Sequence, residues 1–305
     1  MQQHDHQHGP GDGHDHGHDH APAPTPAPAS APAPAHMHGP GGSPDQKGRL
    51  EAMKRSWQQK KRIGQHLTRI KRKIGVYSGK GGVGKSTVAV NLAALHASRG
   101  AQVGLFDADI DCPNVLKLMK VEDAHPHMIE GQIIPAVMHG VHVISMAAFQ
   151  EKEDEAIIFR GPMIHNALTQ FIEITDWGDL DYLYVDMPPG TSDAAITVMQ
   201  TMQLDGFVVV TTPQELAVLD ARRSINMMKK LNVPVLGIVE NMTSDIFGKG
   251  GGELLAKETG CPFFGSIQLR SAFRSPDRPV VLADKHVRAE FDRVLDALLA
   301  PVPAQ

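Results

Sequence analysis

Two cysteines in 305 residues, Cys112 and Cys261, leave nothing from which a disulfide framework could be built. That scarcity points to a reducing compartment. No apolar run approaches the roughly 18 residues that a membrane-spanning helix needs, and the N-terminus carries no apolar signal core. The chain is therefore expected to be cytoplasmic, with no membrane partner. A large excess of one charge is also missing. The formal net charge of −4 is too mild to imply a nucleic-acid or acidic partner. The first 45 residues have almost no apolar surface to bury, and the foldable part, roughly 230 residues, is enough for one α/β domain with a sizeable core.

The tail itself is unusual. His4, His6, His8, His14, His16, His18 and His20 alternate with Asp and Gly, and His36 and His38 follow an Ala/Pro alternation over Ala21–Ala35. The Ala/Pro stretch favours extended polyproline geometry and acts as a spacer. Imidazoles suit Zn²⁺, Ni²⁺ or Cu²⁺ without a fixed site, and a solubilising tail is the plain alternative. From Lys47 to Lys73, eleven Lys/Arg face one acid, Glu51. Leu50, Met53 and Trp57 recur at i, i+3 and i+7, predicting a short amphipathic helix. Such a helix could touch a membrane or nucleic acid; the favoured reading is a solvated basic face beside one packed stripe.

After this basic stretch comes an apolar strand, Ile74–Ser78, then Gly79-Lys80-Gly81-Gly82-Val83-Gly84-Lys85-Ser86-Thr87, then a helix predicted over Lys85–Ser98. Strand, glycine loop and helix in this order make a phosphate-binding loop. The glycines let backbone N–H groups turn inward, the helix N-terminus adds partial positive charge, and Lys85 adds a full one. Ser86 is the hydroxyl expected to hold Mg²⁺ between two phosphates. The rest alternates in type. Strands are predicted at Val103–Phe106, Val141–Ser145, Tyr182–Val185, Phe207–Thr211 and Val235–Glu240. Helices are predicted near Met163–Ile174, Ala194–Met202, Leu216–Leu231, Glu253–Glu258 and Val287–Leu299. This is an α/β P-loop NTPase pattern, a mainly parallel sheet with helices on both faces, preceded by a disordered tail. The expected segments are a tail at 1–45, a basic linker or short helix at 46–73, and the P-loop domain at 74–300.

Ligands of such sheets sit at the carboxyl ends of the strands. Asp107-Ala108-Asp109-Ile110-Asp111 follows one strand, where carboxylates can order Mg²⁺ waters or hold an attacking water; a capped Asp-rich turn is the alternative. Asp186 ends another strand, before Met187-Pro188-Pro189-Gly190-Thr191-Ser192-Asp193, and is placed to bind Mg²⁺ next to a switch-like turn. The Asn/Thr-Lys-x-Asp tetrapeptide that selects guanine is absent. Asn241 offers an amide that could both donate to and accept from adenine, so ATP is the expected nucleotide.

Lys80, an extra lysine near the start of the loop, makes this stretch resemble the deviant phosphate loop of the dimeric ATPases that include MinD, ParA and the nitrogenase iron protein. By that resemblance Lys80 reaches across a homodimer to the partner's phosphates, as an arginine finger does. Within the class the chain is similar to the Mrp-type iron–sulfur cluster carriers. The resemblance rests on Ser78–Leu92, Asp107–Ile110, Phe159-Arg160-Gly161-Pro162-Met163, Val185–Asp193, Thr211–Ala217, Val239–Thr243 and Phe247–Glu253, with Ile70–Ile74 as their lead-in. It implies an ATP- and Mg²⁺-dependent, slow ATPase that forms homodimers and passes clusters to apo iron–sulfur or metalloprotein clients. Lys80, Lys85 and Asp109 would be catalytic, with Asp109 orienting the attacking water, and Asp186 would serve the metal and the switch.

One departure stands out. These carriers usually hold a cluster with a Cys-x-x-Cys shortly after the Asn-Met motif, and here Asn241-Met242-Thr243 runs into Ser244-Asp245-Ile246-Phe247-Gly248. A cluster normally takes four thiolates, or histidines replacing some of them. Cys112, in the switch-like segment, is the candidate ligand, able to approach its dimer mate; Cys261, before Pro262, reads as a small buried hydrophobe. Two other functions stay open. One is a MinD- or ParA-like switch without a cluster, and the other is a nickel or zinc chaperone using the histidine tail.

Overall fold

The computed structural model describes residues 44–120, 126–146, 161–274 and 277–301. The histidine- and Ala/Pro-rich tail, and Phe159-Arg160, lie outside the described residues. The chain divides into two units, Met1–Gly48 and Arg49–Gln305. Apart from the first turn of α1, everything below concerns the second unit.

Helix α1 (Pro44–Leu67) leads into β1 (Ile70–Tyr77), and α2 (Lys85–Ser98), β2 (Val103–Asp107) and α3 (Val115–Met119) follow. A small excursion comes next, β3 (His127–Ile129), β4 (Gln132–Ile134) and β5 (Ala136–Met138), closing on β6 (Val141–Ser145). Beyond it lie α4 (Gly161–Ile174), β7 (Leu180–Asp186), α5 (Asp193–Met202), β8 (Gly206–Thr211) and α6 (Glu215–Lys230). The chain then runs through β9 (Val235–Thr243), α7 (Gly251–Thr259), β10 (Phe263–Gln268), α8 (Val280–Ala283) and α9 (Lys285–Leu299). The main sheet has the order β10-β9-β8-β1-β7-β2-β6-β5, parallel throughout except for β5 against β6; β3 and β4 pair antiparallel apart from it.

Both faces of this sheet are covered, which is why its strands read as continuous apolar runs. Along β8, Phe207 and Val209 enter one core while Val208 and Val210 enter the other. The first core receives the end of α1, with α4, α5, α6 and α7; the second receives α2, α3, α8 and α9. Helix α2 is buried on nearly every side from Val88 to His96. Helix α9 buries Val287, Phe291, Val294, Leu295 and Leu298, a spacing of i, i+4, i+7, i+8 and i+11. Asp284 caps it by accepting from the His286 and Val287 N–H groups at 2.8 and 3.0 Å. Its Asp292 and Asp296 pair with Arg99 at the end of α2, each at 2.6 Å.

Three expectations need correction. The basic stretch forms a 24-residue helix rather than a short one, and β1 opens at Ile70, four residues before the expected Ile74. Ile70 is buried and in register with Leu180, so the basic Lys71–Lys73 run is already strand. The stripe of Leu50, Met53 and Trp57 does not pack: the three are 53%, 69% and 65% exposed. Helix α1 is held instead by Ile63 and Leu67, buried in the first core, and by Gln59 and Arg62 on Glu173 at 2.7 and 2.5 Å. Among the described residues no helix is long and apolar enough to cross a membrane.

Candidate nucleotide site

Strand register assembles the site. In β1, Val76 lies opposite Asp186 of β7, and Asp186 lies opposite Asp107 of β2. Three neighbouring parallel strands thus end side by side, and the glycine loop leaves β1 directly above the two carboxylates. Ala108 N–H donates to the Asp186 carbonyl at 3.0 Å and Met187 N–H to the Val76 carbonyl at 3.1 Å, continuing the ladder into the loops.

Two glycines in the loop have steric reasons to be there. A Cβ on Gly79 would overlap the Asp220 carbonyl of α6, so the loop can lie against that helix only without a side chain. Gly84 caps α2 at φ 81°, and a Cβ there would also overlap the Asn241 amide. Gly79, Lys80 and Gly81–Thr87 thus follow the predicted strand–loop–helix order. A cleft of about 500 Å³ opens over them, lined among others by Gly82, Lys85, Ser86, Asp109, Cys112 and Pro189.

At its floor lies a buried charge cluster. The Lys85 Nζ is 2.7 Å from Asp186 Oδ1, 3.7 Å from Asp109 Oδ2 and 3.5 Å from Ser86 Oγ. Lys85 is 6% exposed and Asp186 fully buried. Burial pushes Asp186 up from the usual carboxylate range, against the pull of Lys85 and Ser86. Burial also raises Asp109, opposed by Lys85 and the Cys112 N–H. Asp107 is pushed up to about 7, first by burial and then by the facing Asp186. It accepts from Val115 N–H and Ser145 Oγ, both at 3.0 Å, and from Asp109 N–H at 3.2 Å. The three carboxylates that looked alike in the sequence therefore divide: Asp107 braces the β2 exit, Asp109 faces the cleft, and Asp111 is exposed at its rim.

Asp186 Oδ2 is buried and has no hydrogen-bond partner. An orphaned carboxylate oxygen beside a serine hydroxyl, under a phosphate-binding loop, is a donor set that fits Mg²⁺. The loop after β7 is pinned to the glycine loop. Gly190 N–H donates to the Ser78 carbonyl at 3.0 Å, and the Tyr77 hydroxyl donates to the Gly190 carbonyl. Tyr77 escaped the sequence reading, because it looks like one more apolar strand residue; burial pushes its phenol up to about 12, with Ser224 opposing. Ser192 caps α5 by accepting from Ala195 N–H at 3.3 Å.

Asn241 does not stand free for a base. It is buried, and its Nδ2 donates to the Val83 carbonyl at 2.9 Å, so its donor supports the loop. With Thr87, Met242, Leu269 and Phe273 it also lines a small cavity. Lys80 is half-buried and lies outside the main cleft, lining a separate cavity of about 150 Å³ with Gln214, Met242 and Phe247; it makes no ion pair among the described residues. Cys112 is exposed at the cleft rim, whereas Cys261 is half-buried against the first core. Among the described residues no three His, Cys, Asp or Glu gather into a metal-binding group.

Comparison with known proteins agrees with this geometry. The ParA family model, described as NUBPL iron-transfer P-loop NTPase, matches residues 69–300. The chain is 42% identical over 260 residues to the iron-sulfur cluster carrier protein of Methanocaldococcus jannaschii, covering 80% of this chain and 90% of that one. Among solved structures it is similar to a nucleotide-binding protein of Archaeoglobus fulgidus in complex with ADP, with cobalt. That match has a TM-score of 0.61 and 31% identity, and covers 79% of this chain and 94% of the other. The cell division ATPase MinD of Pyrococcus furiosus shares the fold at a TM-score of 0.59 and 21% identity, over 75% and 98% of the two chains.

Proposed function

Since the chain belongs to the ParA/NUBPL family of iron-transfer P-loop NTPases, we propose that it is an ATP-hydrolysing carrier of iron–sulfur clusters for apoprotein clients in the cytoplasm. The observation that carries this reading is a family match over 69–300 joined to an intact charge cluster beneath the glycine loop. In the proposed cycle the loop N–H groups and Lys85 bind the phosphates, and Lys85 exchanges Asp186 for phosphate oxygens. Mg²⁺, held by Ser86 and Asp186, would neutralise phosphate charge. Asp109, raised by burial and facing the cleft, orients the attacking water. Gly190, tied to Tyr77 and Ser78, links the nucleotide state to the loop over 187–192. Lys80, without an ion pair among the described residues, is free to reach the phosphates of a second copy, which supports a homodimer.

The cluster is cargo, and the described residues of one copy do not gather a set of ligands for it. Cys112, exposed at the cleft rim, is the thiol we assign to it, with the same residue of a second copy supplying another of the four ligands a cluster normally takes. Anaerobic reconstitution with iron and sulfide tests this. The expected result is iron and labile sulfide in equal amounts on the wild type, with loss of both in Cys112→Ser. If the wild type takes up no iron while zinc or nickel binds the histidine tail, a metallochaperone reading replaces this one.

A further inference from the structure

The first three turns of the second unit's leading helix stand clear of the body. From Leu50 to Gln58 every residue of α1 is exposed, and among the described residues the contacts of α1 with the core and with Glu173 are made by Gln59, Arg62, Ile63 and Leu67. Leu50, Met53 and Trp57 are exposed on that free portion. At 3.6 residues per turn they fall within an arc of about 60° on one side of the helix. Lys54 and Lys61 border the arc on one side and Lys60 on the other, all exposed. The Lys61 ammonium sits 5.5 Å from the centre of the Trp57 ring. Lys54, Arg55, Lys60 and Lys61 make no ion pair among the described residues, and the one acid of the segment, Glu51, lies about 100° around the helix from Leu50.

We infer that this portion of α1 is a docking helix for an anionic lipid surface. An apolar ridge ending in an exposed tryptophan, edged by lysines and free of acids, is the composition of a helix that lies in a bilayer interface. The lysine stems reach past the ridge and carry their ammonium groups to headgroup level. A second copy of the same ridge is a poor occupant, because face-to-face pairing would bring six lysines together. Duplex nucleic acid would use the cations and leave the ridge of Leu50, Met53 and Trp57 in water. An acidic groove on a protein would meet the two lysine edges, whereas a bilayer interface also takes the ridge into its acyl boundary and leaves Arg55, on the far side, to water. The sequence pattern alone favoured a packed stripe and no membrane contact. Its exposure changes that reading, and the inference does not depend on the proposed carrier function.

Trp57 makes the test direct. The chain has two tryptophans, and the other, Trp177, is 3% exposed in the first core, so a change in emission on docking reports Trp57. The full chain is mixed with vesicles of phosphatidylcholine alone, or of equal parts phosphatidylcholine and phosphatidylglycerol, and followed by sedimentation and fluorescence. The expected result is binding to the anionic vesicles only, a blue shift in emission, and weakening as salt rises. Lys54→Glu/Lys61→Glu should bind at least about tenfold more weakly, and Met53→Ser should lose most of the binding with the charge unchanged. Absence of binding to anionic vesicles overturns the proposal, as does binding without a shift or undiminished in Met53→Ser. Tighter binding to duplex DNA or polyglutamate than to the vesicles, or Trp57 already blue-shifted in the lipid-free protein, also overturns it.

Discussion

Replacing Lys85 by Met in the nucleotide-free protein tests the buried charge cluster independently of any activity. Lys85 and Asp186 are 2.7 Å apart, 6% and 0% exposed, so neither has water to fall back on. At an effective dielectric of about 20 their attraction is roughly 6 kcal/mol, most of it offset by the desolvation of both groups. Removing the lysine leaves Asp186 buried, unpaired and already raised by burial. Breaking such a pair costs about 3–5 kcal/mol. Protonation sets a ceiling: a carboxylate with an ordinary pKa of 3.8 can be neutralised at pH 7 for about 4 kcal/mol. We therefore expect Lys85→Met to lose about 3–4 kcal/mol near pH 7 in urea unfolding. The sign with pH follows. The variant's folded state holds a proton that its unfolded state releases, so the deficit shrinks as pH falls, by about 1.4 kcal/mol per unit. Lys85→Met/Asp186→Asn removes the charge that needed compensation and should recover at least about 2 kcal/mol. Asp186→Asn alone leaves Lys85 with Asp109 at 3.7 Å and should cost less than Lys85→Met. A Lys85→Met deficit under about 1 kcal/mol, or one that neither varies with pH nor recovers in the double variant, would refute the reasoning.

Gly79→Ala should destabilise the fold by about 1–3 kcal/mol and weaken ATP binding, because the new methyl meets the Asp220 backbone and the loop or α6 must shift; calorimetry with and without ATP checks both. Tyr77→Phe leaves the Gly190 carbonyl without its hydroxyl donor, at a cost of about 1–2 kcal/mol, and should speed hydrogen exchange at the Gly190 amide; unchanged exchange would deny the pin. His96, buried on α2 with its Nδ1 3.0 Å from the Tyr184 hydroxyl, is held down to about 4, first by burial and then by Arg99, with Asp181 opposing. Its stabilising contribution is present above the ordinary 6.5 and lost as pH falls toward 4. Between about pH 7 and pH 5 the wild type should lose roughly 2 kcal/mol more than His96→Gln, read by urea unfolding at each pH. Asp107, raised to about 7, acts with the opposite sign over the same range, so the comparison between the two proteins, not the wild-type slope, carries the test.

What was legible in the sequence was whatever depends on neighbours along the chain. The glycine loop between a strand and a helix was of this kind, as were α2 at Lys85–Ser98 and β6 at Val141–Ser145, both found at the expected bounds. Local patterns did not reveal β10, whose Phe263–Gln268 includes Gly265 and Ser266 and pairs irregularly at the sheet edge. Nor did they reveal β3–β5, which are short and partly exposed. The roles of the carboxylates depended on register. Asp107 and Asp109 are two residues apart in one turn, yet pairing with β7 buries the first beside Asp186 and leaves the second facing the cleft.

Asn241 and the α1 stripe show the same limit from opposite directions. The sequence gives a side chain's chemistry and its place in a period, but not which partner occupies it. The amide of Asn241 could read a base, and the fold places its donor on the Val83 carbonyl, where it holds the glycine loop in shape. Leu50, Met53 and Trp57 could seal a core, and the fold leaves them in water because Ile63 and Leu67, on another side of the same helix, make the contact. One polar group looked free and is engaged; three apolar groups looked engaged and are free. Asn241 still lines the small cavity it shares with Thr87, Met242, Leu269 and Phe273, but its amide donor is spent on the loop. The second result places an unsatisfied apolar ridge on the helix that leads into the strand carrying the phosphate loop. A surface that captures this ridge would hold the body of the protein through Ile63, Leu67 and the Glu173 contacts.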